Sequence, residues 1–227
     1  FFYRQAHALV LLGTSLATAI LVGALLVGDS IKFSLKQSAL RRLGNIHWAM
    51  DTRGRFFPAN LATRLQQETG AQITPVLLFR GIALSQKETG IESRQINNIQ
   101  ILGVQDSFWD FATGPRPPIT RDGIAINEQL ASKLQVRRGD IISIRFSKPS
   151  LMSRDAPLSV QEKNDTLRAT FTVEAIVQAP QLGHFSLAAN QQIPCTAFVN
   201  LSWLQDTAGV NNQANLLLAG NSLISNT

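Results

Sequence analysis

The chain has 227 residues, of which 44% are apolar and 16% charged, with a formal net charge of +6. An apolar share of that size with so little charge excludes a disordered chain. A single cysteine, Cys195, excludes an internal disulfide framework and any zinc site built on cysteines.

The 21 Lys and Arg residues are dispersed, with only two adjacent pairs, Arg41-Arg42 and Arg137-Arg138. No stretch interleaves aromatic residues with a basic cluster, so no nucleic-acid partner is expected. The positive charge is read as a solvated surface or as attraction to anionic lipid beside a membrane.

The first element predicted along the chain is the strongest. Ala6–Gly28 carries no Lys, Arg, Asp or Glu over 23 residues. As a helix it reaches about 35 Å, enough to cross the hydrocarbon core of a bilayer. The hydrophobic region of a signal peptide is usually about 7–15 residues, shorter than this one. A transmembrane helix is therefore expected. Gly13, Ala17, Ala24 and Gly28 fall on one side of it, a small-residue face suited to packing against other membrane helices.

Asp29–Leu43 continues without a helix breaker. Ile31, Leu35, Ala39 and Leu43 form one apolar stripe, and Lys32, Lys36, Arg41 and Arg42 occupy the rest. This predicts an amphipathic stalk that ends at Gly44, either holding a domain off the bilayer or lying on its headgroups. Only Arg4 precedes the membrane segment and four basic residues follow it. On charge alone the remainder of the chain would face the cytoplasm.

After Gly44 the chain reads as α+β. A strand is expected within Asn45–Asp51, then a helix over Pro58–Thr69 stopped by Gly70. Ile73–Leu84 reads as a largely apolar strand or a bent pair of strands, and Ile96–Val104 as another strand. Asp106 opens a helical turn holding Phe108, Trp109 and Phe111, and Gly114-Pro115-Arg116-Pro117-Pro118 breaks the chain. Beyond that break come a strand at Gly123–Ile126 and a helix capped by Asn127 with Leu130, Ala131 and Leu134 inward. A turn at Arg138-Gly139-Asp140 leads into the strand Ile141–Phe146. Ser147–Thr166 is a polar loop.

Leu167–Gln178 alternates most cleanly, with Leu167, Ala169, Phe171, Val173, Ala175 and Val177 expected to face one way. Pro180–Pro194 is a loop. Thr196–Asn200 and Asn215–Ala219 are further strands flanking a helical turn at Ser202–Ala208. The organisation drawn from this is a helix and stalk over 1–44, a porter-like α/β unit over 45–115, an inserted β-rich subdomain over 116–183, and a return to the α/β unit over 184–227. The chain opens on Phe1 and stops in Asn221–Thr227 without a closing element, so it is expected to be a piece of a longer polypeptide.

Catalytic signatures are sparse. There is no G-x-x-x-x-G-K-[ST], no strand followed by G-x-G-x-x-G, and no G-x-S-x-G. His7, His47 and His184 are far apart and in no metal-ligand spacing. His184 has the chemistry of an acid or base but reads as a surface loop residue. Cys195 has the chemistry of a nucleophile but adjoins a strand and reads as a small packed side chain. Asp106 and Asp110 are either a carboxylate pair or a helix cap with a solvated neighbour. Asp29 marks the membrane boundary, anchors the helix end or binds a partner. Phe108, Trp109 and Phe111 are either core or a surface for an apolar ligand or protein partner.

Three stretches carry a family resemblance. Val27–Leu43 runs from the membrane helix into the stalk; Gly123–Ile144 (GIAINEQLASKLQVRRGDIISI) is followed by Thr170–Ile176; and Ala197–Gln205 (AFVNLSWLQ) is followed by Gln213–Leu218. Together they resemble the first membrane helix and extracytoplasmic core of FtsX-like, MacB-like ABC transporter permeases. The resemblance implies a non-catalytic membrane subunit with its globular part outside the cell membrane, against the charge count. It implies three later membrane helices, a partner ATPase carrying ATP and magnesium, and a second permease half. It assigns no catalytic, cofactor or metal residues to this chain. The rival expectations are a single-pass anchored binding or sensor module with a pocket at Phe108, Trp109 and Phe111, and an anchored hydrolase, for which no motif is present.

Overall fold

The computed structural model describes residues 3–86, 94–148, 166–188 and 192–222. It divides into two compact units, Phe1–Arg41 and Arg42–Thr227. The first unit is nearly all of helix α1, which runs from Arg4 to Leu43 over 40 residues with no break at Gly13, Gly23 or Gly28. The span His7–Leu43 is long and apolar enough to cross a membrane, with a stretch of mean hydropathy 2.3 and none of that stretch buried against protein. A helix in a soluble core would bury such residues. Here Leu9, Leu12, Leu16, Leu25 and Leu26 are all exposed, as a helix solvated by lipid requires.

The second unit is α+β. Its elements in order are β1 (Trp48–Asp51), β2 (Phe57–Pro58), α2 (Leu61–Thr69), β3 (Ala71–Gln86), β4 (Gln95–Val104), a 3-10 turn at Asp106–Phe111, β5 (Ile124–Asn127) and α3 (Glu128–Leu134). They continue with β6 (Ile141–Ser147), β7 (Thr166–Val177), a short turn at Ala179–Gln181, β8 (Thr196–Asn200), α4 (Leu201–Ala208), β9 (Gln213–Ala214) and β10 (Leu216–Ser222). The helix expected from Pro58 starts three residues later, at Leu61. Pro58 instead pairs with Gln213 in a two-stranded sheet. Gly70 ends α2 in the left-handed conformation, φ 65°, as its position predicts.

The main sheet has the order β1-β10-β3-β4-β8-β5-β7-β6, and β6 also pairs with β3. The strands β3-β4-β8-β5-β7-β6 thus return on themselves as a closed circuit. Strand β3 makes this possible by its length of 16 residues. Its first half pairs with β10, from Ala71 to Val76, and its last half with β6, from Gly81 to Gln86. At Gly81 the Arg145 carbonyl comes so close that a Cβ would collide with it, and the β3–β4 register shifts between Gly81 and Ala83. A glycine and a bulge are the usual means of bending a strand into a closed sheet. Strands from 45–115, 116–183 and 184–227 all contribute to this one sheet.

Two cores result. The first is enclosed by the circuit and by α3 and α4. It holds Ile99, Ile101, Ile124, Ile126, Ile142, Ile144, Phe146, Phe171, Val173 and Val199 with Leu130, Leu134, Leu201 and Leu204. The second lies on the other face and holds Ile46, Val76, Leu102, Val104, Phe108, Phe111, Val177, Leu182, Phe185, Phe198, Leu216 and Leu218.

The alternation expected along β7 is present in burial, but its odd positions do not all face one way. Phe171 and Val173 belong to the first core, and Ala175 and Val177 to the second. Ile124 pairs with Val173 and Ala125 with Ala175, so Glu174 is an extra residue. An unpaired residue in one strand reverses which side chains point inward beyond it. Glu174 is held there by Thr120, whose N–H and hydroxyl each donate to its carboxylate at 2.6 Å.

Candidate functional site

The residues expected to meet a partner or transmit motion sort into three places. On α1, Gly13, Ala17 and Ala24 are exposed and Gly28 is half-buried, and a Cβ at Gly13 or Gly28 would meet nothing within 4 Å. Beside them lie hydroxyls that the sequence reading passed over. The Thr14 hydroxyl donates to the Val10 and Leu11 carbonyls at 3.0 Å, and the Thr18 hydroxyl to the Thr14 carbonyl at 2.7 Å. Both threonine hydroxyls are thereby satisfied within the helix, as lipid demands. Further along, Ile31, Leu35 and Ala39 are exposed and Asp29 is solvent-facing.

The last helical residues, Arg42 and Leu43, belong to the second unit, and there the structure shows a socket. Leu43 packs against the second core. Gly44 stops the helix with φ +55°, and a Cβ on it would lie 2.6 Å from the Phe111 carbonyl oxygen. That same oxygen accepts a hydrogen bond from the Asn45 N–H at 3.0 Å. The Ile46 N–H donates back to the Leu43 carbonyl, and the His47 N–H donates to Ala219 on β10. The Phe111 ring closes the other side: a Cβ at Gly220 would lie 2.9 Å from its Cε1. The Arg42 guanidinium reaches the Gln192 carbonyl at 3.4 Å. Six consecutive residues, 42–47, are thus tied to the 3-10 turn, to β10 and to the segment before β8.

Phe108, Trp109 and Phe111 are buried, with exposures of 0%, 5% and 0%. Phe108 lies edge-on to Trp109 and to Phe185, with centroids 5.1 and 5.8 Å apart, and Trp109 packs on Phe198 at 5.2 Å. The rings fill the second core behind the socket and offer no surface to an apolar ligand. Asp106 and Asp110 both approach Arg116, at 3.4 and 3.8 Å. They hold the Gly114–Pro118 break against the turn rather than forming an isolated carboxylate pair.

Asn127 does more than cap α3. It is fully buried, its Oδ1 accepts from the Leu130 and Thr196 N–H groups, and its Nδ2 donates to the Gly183 and Pro194 carbonyls at 2.8 and 2.7 Å. One side chain therefore ties the circuit to the segment that covers the second core. Cys195 is buried in the first core, and His184 is half-buried in the turn after Gln181. Among the described residues no three His, Cys, Asp or Glu side chains gather as a metal site. The polar cleft beside α2 is about 260 Å³, lined by Asn60, Thr63, Gln66, Gln105, Ser107 and Asn212.

An apolar N-terminal helix followed by an α+β sheet domain defines the class. Within that class the fold is similar to the periplasmic region of MacB from Actinobacillus actinomycetemcomitans: TM-score 0.51 at 12% identity, over 83% of this chain and 80% of that one. The extracellular domain of the noncanonic ABC-type transporter YknZ from Gram-positive bacteria is a more distant neighbour, with TM-score 0.43 at 14% identity over 74% of this chain and 75% of that one. No protein-family model matches the chain, and no curated protein matches its sequence. The resemblance drawn from the sequence, to FtsX-like, MacB-like permeases, agrees with the structural similarity to the MacB periplasmic region. The apolar helix fits a membrane-anchored protein.

Proposed function

We propose that the chain is the first membrane helix and extracytoplasmic domain of an ABC transporter permease subunit in the cell (inner) membrane. On this reading a partner ATPase carries ATP and magnesium, a second permease half completes the membrane domain, and this chain contributes no catalytic group. Its task is mechanical. Displacement of the membrane helix passes along the stalk residues Ile31, Leu35, Ala39 and Leu43 into the socket at Gly44. The small-residue face Gly13, Ala17, Ala24 and Gly28 is the packing surface for other membrane helices. Within the domain, 45–115 with 184–227 is taken as the porter-like unit and 116–183 as its insertion. Export and lipid or lipoprotein extraction are both served by such a device.

The observation that carries the reading is the unbroken helix from Arg4 to Leu43, whose last residue packs into the second core. A flexible tether would suffice to anchor a binding module. A continuous helix is stiff along its axis, so it transmits displacement.

The orientation is tested with single cysteines at the exposed positions Asn97 and Glu128. In intact cells a membrane-impermeant maleimide should label both. Labelling only after lysis would place the domain in the cytoplasm, as the charge count has it, and end the reading.

A further inference from the structure

The outer face of the closed circuit carries three arginines on adjacent strands. Arg145 on β6 stands directly opposite Arg168 on β7, and Ile82 on β3 is Arg145's partner on the other side. Arg80 precedes Ile82 by two residues and shares its face. Three cations thus lie on one face of three adjacent strands. Directly opposite side chains have Cβ atoms about 4.5–5.5 Å apart, and like charges so placed repel.

Nothing on these strands compensates. β3, β4 and β6 contain no carboxylate, and the one on β7, Glu174, is at the far end and bonded to Thr120. Arg116 is paired with Asp106 and Asp110 and Arg121 with Asp206, while other exposed arginines such as Arg64 and Arg138 are in no ion pair among the described residues. What sets this group apart is that two of its cations stand directly opposite each other across neighbouring strands. Among the described residues Arg80, Arg145 and Arg168 are in no ion pair. Arg80 donates to the Asn98 side chain at 3.1 Å, and the Arg168 Nε to the Ser143 hydroxyl at 3.0 Å, which holds that guanidinium down on the sheet. The Arg145 Nε is buried and has no hydrogen-bond partner among the described residues.

We propose that Arg145 and Arg168, flanked by Arg80, form a binding site for a phosphate-class oxyanion. A doubly charged group seated over the two guanidiniums supplies acceptors in the forked geometry that arginine favours. It also replaces the cross-strand repulsion with attraction. Free phosphate compounds and phosphorylated headgroups present this same chemistry. The site is independent of how the helix couples to the domain.

The test uses the full chain in neutral detergent micelles, with inorganic pyrophosphate as the probe. Pyrophosphate well above its Kd should raise Tm by about 3–6 °C, while sodium chloride at matched ionic strength should not. Backbone amide shifts should move on β6 and β7 and stay fixed on α2. Arg168→Gln, at an exposed strand position, should abolish both responses, and Arg145→Gln should do the same. Arg64→Gln on α2 should abolish neither. If Arg145→Gln does not fold, Arg168→Gln alone decides. An equal Tm rise in Arg168→Gln, or an equal rise with chloride, overturns the site, as does the absence of any response in the unmodified chain. Given a response, dihexanoyl phosphatidylglycerol below its micelle concentration separates the sources. Competition with pyrophosphate identifies a headgroup site, and no competition identifies a site for free oxyanions.

Discussion

The first core is ringed by strands that pair on both edges, β3-β4-β8-β5-β7-β6 and back to β3, with α3 and α4 packed against it. The second core lies on the opposite face and is closed by side chains instead: Leu43 from the end of α1, Phe108 and Phe111 from the 3-10 turn, Leu182 and Phe185 from the segment before β8. A closed ladder opens only by breaking pairs across its whole length, whereas a lid of packed side chains can be shifted from one end. Leu43, the last helical residue, is part of that lid. Rigidity and responsiveness are thereby placed on the two faces of the same strands, with β7 serving both because Glu174 reverses its inward face.

The widest separation of the two cores should come from paired truncations. Phe111→Ala and Phe146→Ala each remove a buried ring and should each cost about 3–5 kcal/mol in denaturant unfolding. Hydrogen exchange should tell them apart. Phe111→Ala should release the amides of 45–47 and 108–112 while the circuit stays protected, and Phe146→Ala should lower protection throughout the circuit. Identical exchange patterns in the two variants would erase the distinction.

Asn127→Ala should come next, at about 2–4 kcal/mol, because the Gly183 and Pro194 carbonyls lose their amide donor inside the protein. Since Asn127 links the cores, its loss should loosen the 178–188 segment as well as α3. Two glycine substitutions then compare the faces at one methyl each. Gly81→Ala forces a Cβ onto the Arg145 carbonyl within the circuit, and Gly44→Ala forces one onto the Phe111 carbonyl at φ +55° in the socket. Each should cost about 1–3 kcal/mol, with global loss for the first and local release of 42–47 for the second. At the small end, Arg121→Ala breaks an ion pair whose side chains are 67% and 58% exposed. It should change stability by no more than about 0.5 kcal/mol.

Local features were legible in the sequence and long-range ones were not. The charge-free run Ala6–Gly28, the Asn127 cap and the stops at Gly44 and Gly70 are written in single residues, and each lies where its chemistry puts it. The closure of β3 on β6 joins residues 55 or more apart, from Gln86 and Ile141 outward, and no local pattern encodes it. Alternation along Leu167–Gln178 was visible, but a bulge leaves no mark in a polar–apolar pattern, so the reversal at Glu174 was hidden. The socket was missed for a related reason. Phe111 looked like an apolar side chain in search of a partner, while its contribution comes from its carbonyl as much as from its ring. Pro58 looked like a helix start because proline suits that position, yet a residue with no N–H is equally at home in a short edge pairing.

The central claim is that a stiff helix drives the domain through the socket. On the proposed reading, the direct test is the intact protein reconstituted with the proposed partner ATPase and second permease half, spin-labelled at Glu128, with the label–label distance measured before and after trapping the ATP-bound state. The account predicts a change in that distance. It further predicts that Leu35→Gly with Ala39→Gly, which softens the stalk at about 1 kcal/mol per glycine, abolishes the change while membrane insertion and domain folding persist. An undiminished distance change in the doubly substituted permease would contradict it.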